Sequence, residues 1–270
     1  VTVLGYAGTA IDGPYVRQGY NLSQAEFDPK LNGVISKNYC DFFGKHNIPY
    51  YSFMALSEKA DGFDASVNAF LGPYGSLAYP LALERGGCSN TAGNAEKLAF
   101  ALEKKIELAP YEERELIFIC AIAFTQEEAE EIKCRYSVPE NVAEELNLVK
   151  NKFARQIDGA VIDTPDPELN LLFSWLKHQA NMGSRWARVR HNGYRDMNSD
   201  CECLAAVNPS LALERFKRVL TYQYANGYAP RTIRGGAICD NQFADNMVWI
   251  PFTASAILKE LGDKKMMDIP

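Results

Sequence analysis

The sequence contains no uninterrupted run of eighteen apolar residues, which is about the length that an α-helix needs to cross a bilayer. It also has no excess of positive charge. Its 34 acidic residues outnumber 28 lysines and arginines, and the formal net charge is −6. Neither nucleic acid nor an anionic membrane surface is therefore expected as a main partner.

Histidine is scarce, and the seven cysteines are scattered along the chain. The three histidines stand at no metal-ligand spacing relative to Cys201-Glu-Cys203, the one close pair of cysteines. The sequence therefore predicts no metal site. An odd number of cysteines, mostly within apolar segments, is typical of reduced thiols, so we expect a cytoplasmic protein.

The first part of the chain has the composition of short β-strands separated by turns. Ile48–Leu56 and Arg114–Ala123 are rich in β-branched and aromatic residues, and glycine, proline and asparagine clusters separate such runs. We interpret residues 104–118 as two strands joined by a turn near Pro110. Repeated short strands of this kind predict a β-sandwich.

Helical patterns replace the strands after about residue 125. Thr125-Gln-Glu-Glu128 has the form of a capping box, and Asp166 and Asn208 each precede a proline suited to the first position of a helix. The helix that follows Asp166 is expected to turn Leu169, Leu172, Phe173 and Leu176 inward. The predicted helices cover residues 126–135, 139–157, 167–180, 209–226 and 246–261.

Arg185–Asp200 is the most informative segment, because it combines four arginines and two aspartates with Trp186 and Tyr194. Guanidinium groups and carboxylates bind sugar hydroxyls, aromatic rings contact the apolar face of a sugar, and the arginines can also bind phosphate. Arg195 and Asp200 are candidate sugar contacts in this segment. The alternative is a structural arginine–aspartate network between helices.

A second segment, Gly235–Trp249, lies before the last predicted helix. Its two glycines allow close approach of the backbone to a ligand, Phe243 offers a ring, and Asp245 directly precedes the helix. The alternative role of Asp245 is that of an ordinary N-cap, which stabilises a helix by about 1 kcal/mol.

The two segments together favour chemistry at a glycosidic bond, which requires a carboxylic acid to protonate the leaving oxygen. A hydrolase adds a second carboxylate, whereas phosphate as the nucleophile requires cationic residues instead. One candidate acid near several arginines favours phosphate. An inverting hydrolase with Asp196 or Asp200 as base, and a carbohydrate-binding module without turnover, remain alternatives.

Five segments of the chain resemble one known family in the same order. They are similar to the inverting β-glycoside phosphorylases of glycoside hydrolase family 94, which include cellobiose and chitobiose phosphorylases. The segments are Asp64–Gly75, Thr164–Gln179, Arg185–Arg188, Gly193–Asp200 and Phe243–Pro251.

This resemblance implies a multidomain β + α protein. Residues 1–124 would form the C-terminal part of a β-supersandwich, residues 125–160 a helical linker, and residues 161–270 the first helices of an (α/α)6 barrel. It also implies a fragment of a longer protein, homodimeric at full length, that cleaves a β-linked oligosaccharide with inorganic phosphate and inversion to give a sugar 1-phosphate. No metal or organic cofactor is needed.

The resemblance also implies roles for individual residues. Asp245 matches the general acid, and burial is expected around an acid that keeps its proton near neutrality. Arg190 and Asp196 match the pair that holds the non-reducing sugar, and Phe243 matches an aromatic contact to it. Arg188 and Arg185 are the two candidates for phosphate binding. Asn246 occupies a position that is often aspartate in the family.

Overall fold

A computed structural model describes residues 1–8, 24–38, 50–94, 96–158, 160–183, 192–234, 237–239 and 243–268. The chain divides into two compact units, Val1–Leu146 and Asn147–Pro270. This division falls inside the predicted helical linker, and the three-part division of the sequence stays a prediction.

The first unit contains two antiparallel sheets. Numbered along the chain, the strands are β1 (Thr2–Gly8), β2 (Gln24–Asp28), β3 (Gly33–Asn38), β4 (Tyr50–Leu56), β5 (Gly62–Ser66), β6 (Gly93–Asn94), β7 (Leu98–Lys105) and β8 (Phe118–Ala123). One sheet has the order β1-β7-β5 and the other the order β6-β2-β3-β4-β8.

Alternation along the strands explains why the two sheets pack face to face. In β4, Met54 and Leu56 point to one side and enter a core with residues of β7 such as Phe100. Phe53 and Ala55 point to the opposite side and enter a different core. Both faces of this strand are therefore buried, which fits its continuous apolar sequence. The predicted β-sandwich is confirmed.

Three helices of the first unit cover the outer faces of the sandwich: α1 (Val67–Leu71), α2 (Leu81–Arg85) and α3 (Gln126–Tyr136). Ala129 of α3 is buried with Phe53 of the five-stranded sheet. The predicted start of α3 is confirmed, because the Thr125 side chain accepts a hydrogen bond from the Glu128 backbone N–H at 3.1 Å.

The predicted hairpin over residues 104–118 is wrong. β7 ends at Lys105 and pairs with β1 and β5, whereas β8 begins at Phe118 and pairs with β4 in the other sheet. The connection between these strands contains the exposed run Glu112–Glu115, which has no alternation of apolar and polar residues. Tyr111 has a left-handed backbone with φ 67°. Pro110 therefore marks a crossing between sheets and not a tight hairpin.

The second unit is mainly helical, with a small antiparallel sheet. Its core joins Tyr194, Leu204, Phe216 and Ile257 from three helices. The sheet has the order β11-β10-β9. The elements are α4 (Pro139–Asp158), which spans the point of division, α5 (Pro167–Gly183), β9 (Asn192–Gly193), α6 (Tyr194–Ala205), α7 (Pro209–Leu220), β10 (Thr232–Arg234), β11 (Ala237–Cys239) and α8 (Trp249–Leu261).

The predicted helix starts are confirmed by their capping bonds. Asp166 Oδ1 accepts from the Glu168 backbone N–H at 2.9 Å, and Asn208 Oδ1 accepts from that of Leu211 at 3.1 Å. α7 ends at Leu220, earlier than the predicted stop at Gly227. Gly227, with φ 85°, instead belongs to the turn that follows the helix.

The predicted inward stripe of α5 is wrong for its leucines. Leu169, Leu172 and Leu176 are 45%, 49% and 54% exposed, and Phe173 is half-buried. Their spacing is helical, but within the described part of the chain no element covers this face of the helix. None of the described helices is long and apolar enough to cross a lipid bilayer.

Candidate functional site

The small sheet of the second unit sets the position of the Gly193–Asp200 motif. Gly193 pairs with Thr232 of β10, and the Tyr194 backbone N–H donates to the Arg231 carbonyl at 2.9 Å. α6 begins at Tyr194, so Arg195 and Asp196 lie in the first turn of a helix that the sheet holds at its start.

The segment before α8 is hydrogen-bonded to Pro230, the residue that precedes Arg231. The Asn246 side chain is buried, and its Nδ2 donates to the Pro230 carbonyl at 2.9 Å. Further along α8, the Thr253 hydroxyl donates to the Asn198 carbonyl in α6 at 3.3 Å. These bonds place the residue before Asn246 next to the first turn of α6.

The bond made by Asn246 requires an amide donor at this position. An aspartate at this position would lose the Nδ2–H donor and face the Pro230 carbonyl with a second acceptor. An unsatisfied buried polar group costs about 1–3 kcal/mol. Asparagine is therefore the residue that this backbone arrangement favours.

Asp245 and Arg195 are brought together by this arrangement. Asp245 Oδ2 lies 3.9 Å from Arg195 Nη1, and the two side chains are 51% and 56% exposed. A pair this exposed contributes little to stability, because water screens both charges. Its importance is that it joins the two segments in which the sequence placed the sugar chemistry.

The N-cap role considered for Asp245 is not the one observed. Its side chain makes no capping hydrogen bond, and its backbone is already helical with φ −87° and ψ −16°. A short 3₁₀ turn, Asn246–Val248, begins here and leads directly into α8. The carboxylate is therefore not occupied in holding the start of the helix.

The expectation that Asp245 is buried is wrong for the surroundings that the structure describes. About half of its side chain is exposed, and Arg195 is its described ionic neighbour. Residues 235–236 and 240–242, which precede Asp245 in the sequence, lie outside the described residues.

Asp196 is fixed by its closeness to a glycine. A Cβ atom added at Gly193 would lie 2.0 Å from Asp196 Oδ2, which is too short for any real contact. The carboxylate of Asp196 therefore folds back over the backbone of Gly193. The glycine of the Gly-Tyr-Arg-Asp motif is required for this approach and not for an unusual backbone angle, because its φ is −65°.

Phe243 is paired with an arginine that sequence reasoning missed. The ring of Phe243 is 45% exposed, and the Arg231 guanidinium carbon lies 4.7 Å from the ring centroid. A cation over a ring face is attracted by about 0.5–1 kcal/mol at an exposed position. Arg231 stands between the Ala229-Pro230 turn and the β-branched strand β10, a pattern that indicates a strand edge but no ligand.

Asp200 lies one turn beyond Asp196 on α6 and is half-buried. It lines a cavity of about 450 Å³ between α5 and α6, together with Phe173, Lys177 and Cys203. Arg185, Arg188 and Arg190 fall outside the described residues, so their predicted contacts to phosphate and sugar stay predictions.

Two titratable groups beneath the site are held neutral. Burial raises the pKa of Tyr194 to about 12. Burial, and then the nearby Asp200 carboxylate, raises the pKa of Cys201 to about 12. Neither group is ionised near neutral pH, so neither supplies an anionic nucleophile there. Among the described residues, no three histidine, cysteine, aspartate or glutamate side chains come together as a metal site.

Comparison with known proteins finds similarity to one enzyme family. Residues 15–139 match the supersandwich domain of glycosyl hydrolase 94. This match covers β2 to β8 and α1 to α3, and it agrees with the two-sheet architecture of the first unit.

Several curated relatives extend the match beyond this domain. A solabiose phosphorylase from Paenibacillus borealis is 31% identical over 241 residues, which cover 83% of this chain and 31% of the relative. A cellobionic acid phosphorylase from Neurospora crassa is 25% identical over 271 residues, 94% of this chain and 34% of the relative. An N,N'-diacetylchitobiose phosphorylase from Vibrio proteolyticus is 24% identical over 197 residues, which cover 69% of this chain and 24% of the relative.

The resemblance found in the sequence is thereby confirmed: the chain is similar to the family 94 phosphorylases. It spans about a quarter to a third of the length of these relatives.

Proposed function

We propose that this chain is part of a glycoside phosphorylase that cleaves a β-linked disaccharide or oligosaccharide with inorganic phosphate. The observation that carries the proposal is the 3.9 Å approach of Arg195 and Asp245, which joins two separate motifs in a relative of named phosphorylases. These relatives are phosphorylases, which also supports phosphate, and not water, as the nucleophile.

In the proposed reaction, phosphate attacks the anomeric carbon and inverts it, and Asp245 gives its proton to the departing sugar oxygen. Entry of a sugar would remove water from the half-exposed Asp245. Arg195 holds the carboxylate beside the first turn of α6 until the sugar arrives. Without phosphate, the site lacks an assigned nucleophile.

The remaining candidate residues have binding roles in this proposal. Asp196 and Arg190 hold the hydroxyls of the non-reducing sugar, Phe243 contacts its apolar face, and Asp200 lies deeper along α6. Arg188 or Arg185 binds phosphate. We also infer that the helices of the second unit begin an (α/α)6 barrel, and that the full-length protein is a cytoplasmic homodimer.

A panel of β-linked disaccharides, incubated with and without inorganic phosphate, tests the proposed function. The full-length protein should release a sugar 1-phosphate, detected by ³¹P NMR, only when phosphate is present. Release of free sugar without phosphate would indicate a hydrolase, and retention of ligand without product would indicate a binding module. In full-length Asp245→Asn the release of sugar 1-phosphate should be lost. Asp158→Asn, at an exposed position on α4, is the control for the loss of an aspartate elsewhere on the surface.

A further inference from the structure

A second cavity of the helical unit contains none of the candidate site residues and shares Val207 with the cavity that Asp200 lines. It has a volume of about 310 Å³ and lies between the last turns of α4 and the connection from α6 to α7. Its lining combines polar and apolar side chains, among them Leu148, Asn151, Lys152, Arg155, Gln156 and Val207.

Two positive charges line this cavity without a negative partner. Lys152 and Arg155 lie three residues apart on α4, so their side chains share one face of the helix. Within the described part of the chain, neither forms an ion pair, and no acidic residue lines the cavity. By contrast, Arg135 pairs with Glu145 at 2.9 Å. In a chain with a net charge of −6, two adjacent unpaired cations favour an anionic ligand.

Gln156 adds a hydrogen-bond acceptor that the protein leaves unused. Its Oε1 is buried and accepts no hydrogen bond from the described residues. A buried acceptor of this kind costs about 1–3 kcal/mol unless a donor reaches it. The dianionic phosphate group of a phosphate monoester has no donor, whereas a ligand hydroxyl can supply one.

The end of α4 that carries these groups is held in place. The buried Lys177 of α5 donates to the carbonyls of Ile157 and Ala160, just beyond Gln156. The ring of Phe153 lies 5.1 Å from that of His178, measured between centroids, and packs edge-on. The helix turn that carries Arg155 and Gln156 is therefore held in position by its contacts to α5.

We propose that this cavity is a second ligand site, for a small hydroxylated anion of the sugar-phosphate class. Lys152 and Arg155 bind the phosphate group, and Gln156 Oε1 accepts a hydrogen bond from a ring hydroxyl. Leu148 and Val207 contact the apolar face of the ring. The site goes beyond the proposed phosphorolysis and does not use Asp245 or the residues around it.

Isothermal titration of the full-length protein with glucose 1-phosphate tests this site. The titration uses an Arg188→Ala, Asp196→Asn background, which disables the proposed active site and leaves the second cavity intact. Binding should persist in this background and weaken at least about tenfold, or 1.4 kcal/mol, in Lys152→Gln and in Arg155→Gln. Lys150→Gln, at an exposed position of α4 outside the cavity, should bind as the background does.

Gln156→Leu separates recognition of the sugar from recognition of the phosphate. It should weaken glucose 1-phosphate binding several-fold and leave the binding of sulfate, which has no hydrogen-bond donor, unchanged. No binding in the background, or equal losses in Lys150→Gln and Lys152→Gln, would overturn the proposal. Thermal unfolding of each variant confirms that it is folded. Because Asp245 is untouched, failure here leaves the proposed phosphorolysis to be judged by its own assay.

Discussion

In the Gly-Tyr-Arg-Asp motif, Gly193 leaves room for the side chain of Asp196. The carboxylate of Asp196 occupies the space that a side chain at position 193 would need. The motif therefore contains a glycine because of a close contact, and its buried backbone also pairs with β10. The Asp196 carboxylate can take this position because Gly193 has no Cβ atom.

Substitution of Gly193 should therefore act on Asp196. In Gly193→Ala, the added methyl group would push the carboxylate away from its position. A displacement of about 1 Å can cost on the order of 100-fold in rate, so we expect a fall in kcat/KM of roughly 10- to 100-fold in the phosphorolysis assay. Gly193→Ala and Asp196→Asn should give similar losses. Wild-type kinetics in Gly193→Ala would show that Asp196 has no part in catalysis.

Tyr194 provides a test of burial beneath the site. Its hydroxyl is buried and has no hydrogen-bond partner among the described residues, and its pKa is raised from 10.0 to about 12. The unfolded chain therefore loses this proton before the folded protein does. The resulting stability is fully present below about pH 10 and is lost as the pH rises toward 12.

Tyr194→Phe should remove this alkaline loss. At pH 7 the free energy of unfolding should not fall, because the lost hydroxyl makes no hydrogen bond with the described residues. Between pH 10 and 12 the variant should become more stable than the wild type in urea unfolding. Tyr111→Phe, at a fully exposed position, should show no such difference. Identical alkaline curves for the wild type and Tyr194→Phe would contradict the buried position.

At the scale of elements, Lys177 connects two helices. Its buried amine on α5 donates to two carbonyls at and beyond the end of α4, Ile157 and Ala160. Its ammonium also lies 5.1 Å from the centroid of the Phe173 ring. The last carbonyls of a helix lack partners within the helix, and a cation placed there stabilises them.

Lys177→Met should lower the free energy of unfolding by about 1–3 kcal/mol, because it removes two hydrogen bonds from a charged donor to partly buried carbonyls. Lys150→Met, at an exposed position of α4, should change it by less than about 0.5 kcal/mol. Both values come from urea denaturation followed by circular dichroism. Equal stability of Lys177→Met and the wild type would contradict the proposed connection.

The elements also show what the sequence could and could not predict. Helix starts at Thr125, Asp166 and Asn208 were predicted correctly because a cap depends on a few neighbouring residues. The hairpin near Pro110 was predicted wrongly because the partner of a strand is set by distant residues. The approach of Arg195 to Asp245 depends on the buried bond from Asn246 to Pro230, which no local pattern indicates.

At the scale of the whole molecule, the exposed face of α5 is the largest departure from the sequence prediction. Trp175, Leu171, Leu172 and Leu176 are each about half exposed or more. The apolar spacing predicts that this face is covered, and the described residues do not cover it. The chain also spans only a quarter to a third of its curated relatives. The family match covers residues 15–139, and phosphorolysis is the activity that we propose for the whole protein.

The measurement that tests the central claim most directly compares two leaving groups in full-length Asp245→Asn. A disaccharide needs a proton on its departing oxygen, whereas a dinitrophenyl β-glycoside does not, because its phenolate leaves unaided. If Asp245 is the general acid, phosphorolysis of the disaccharide should fall by about 100-fold or more, and that of the dinitrophenyl glycoside should be largely retained. Equal effects on both substrates, or none on either, would contradict this role of Asp245.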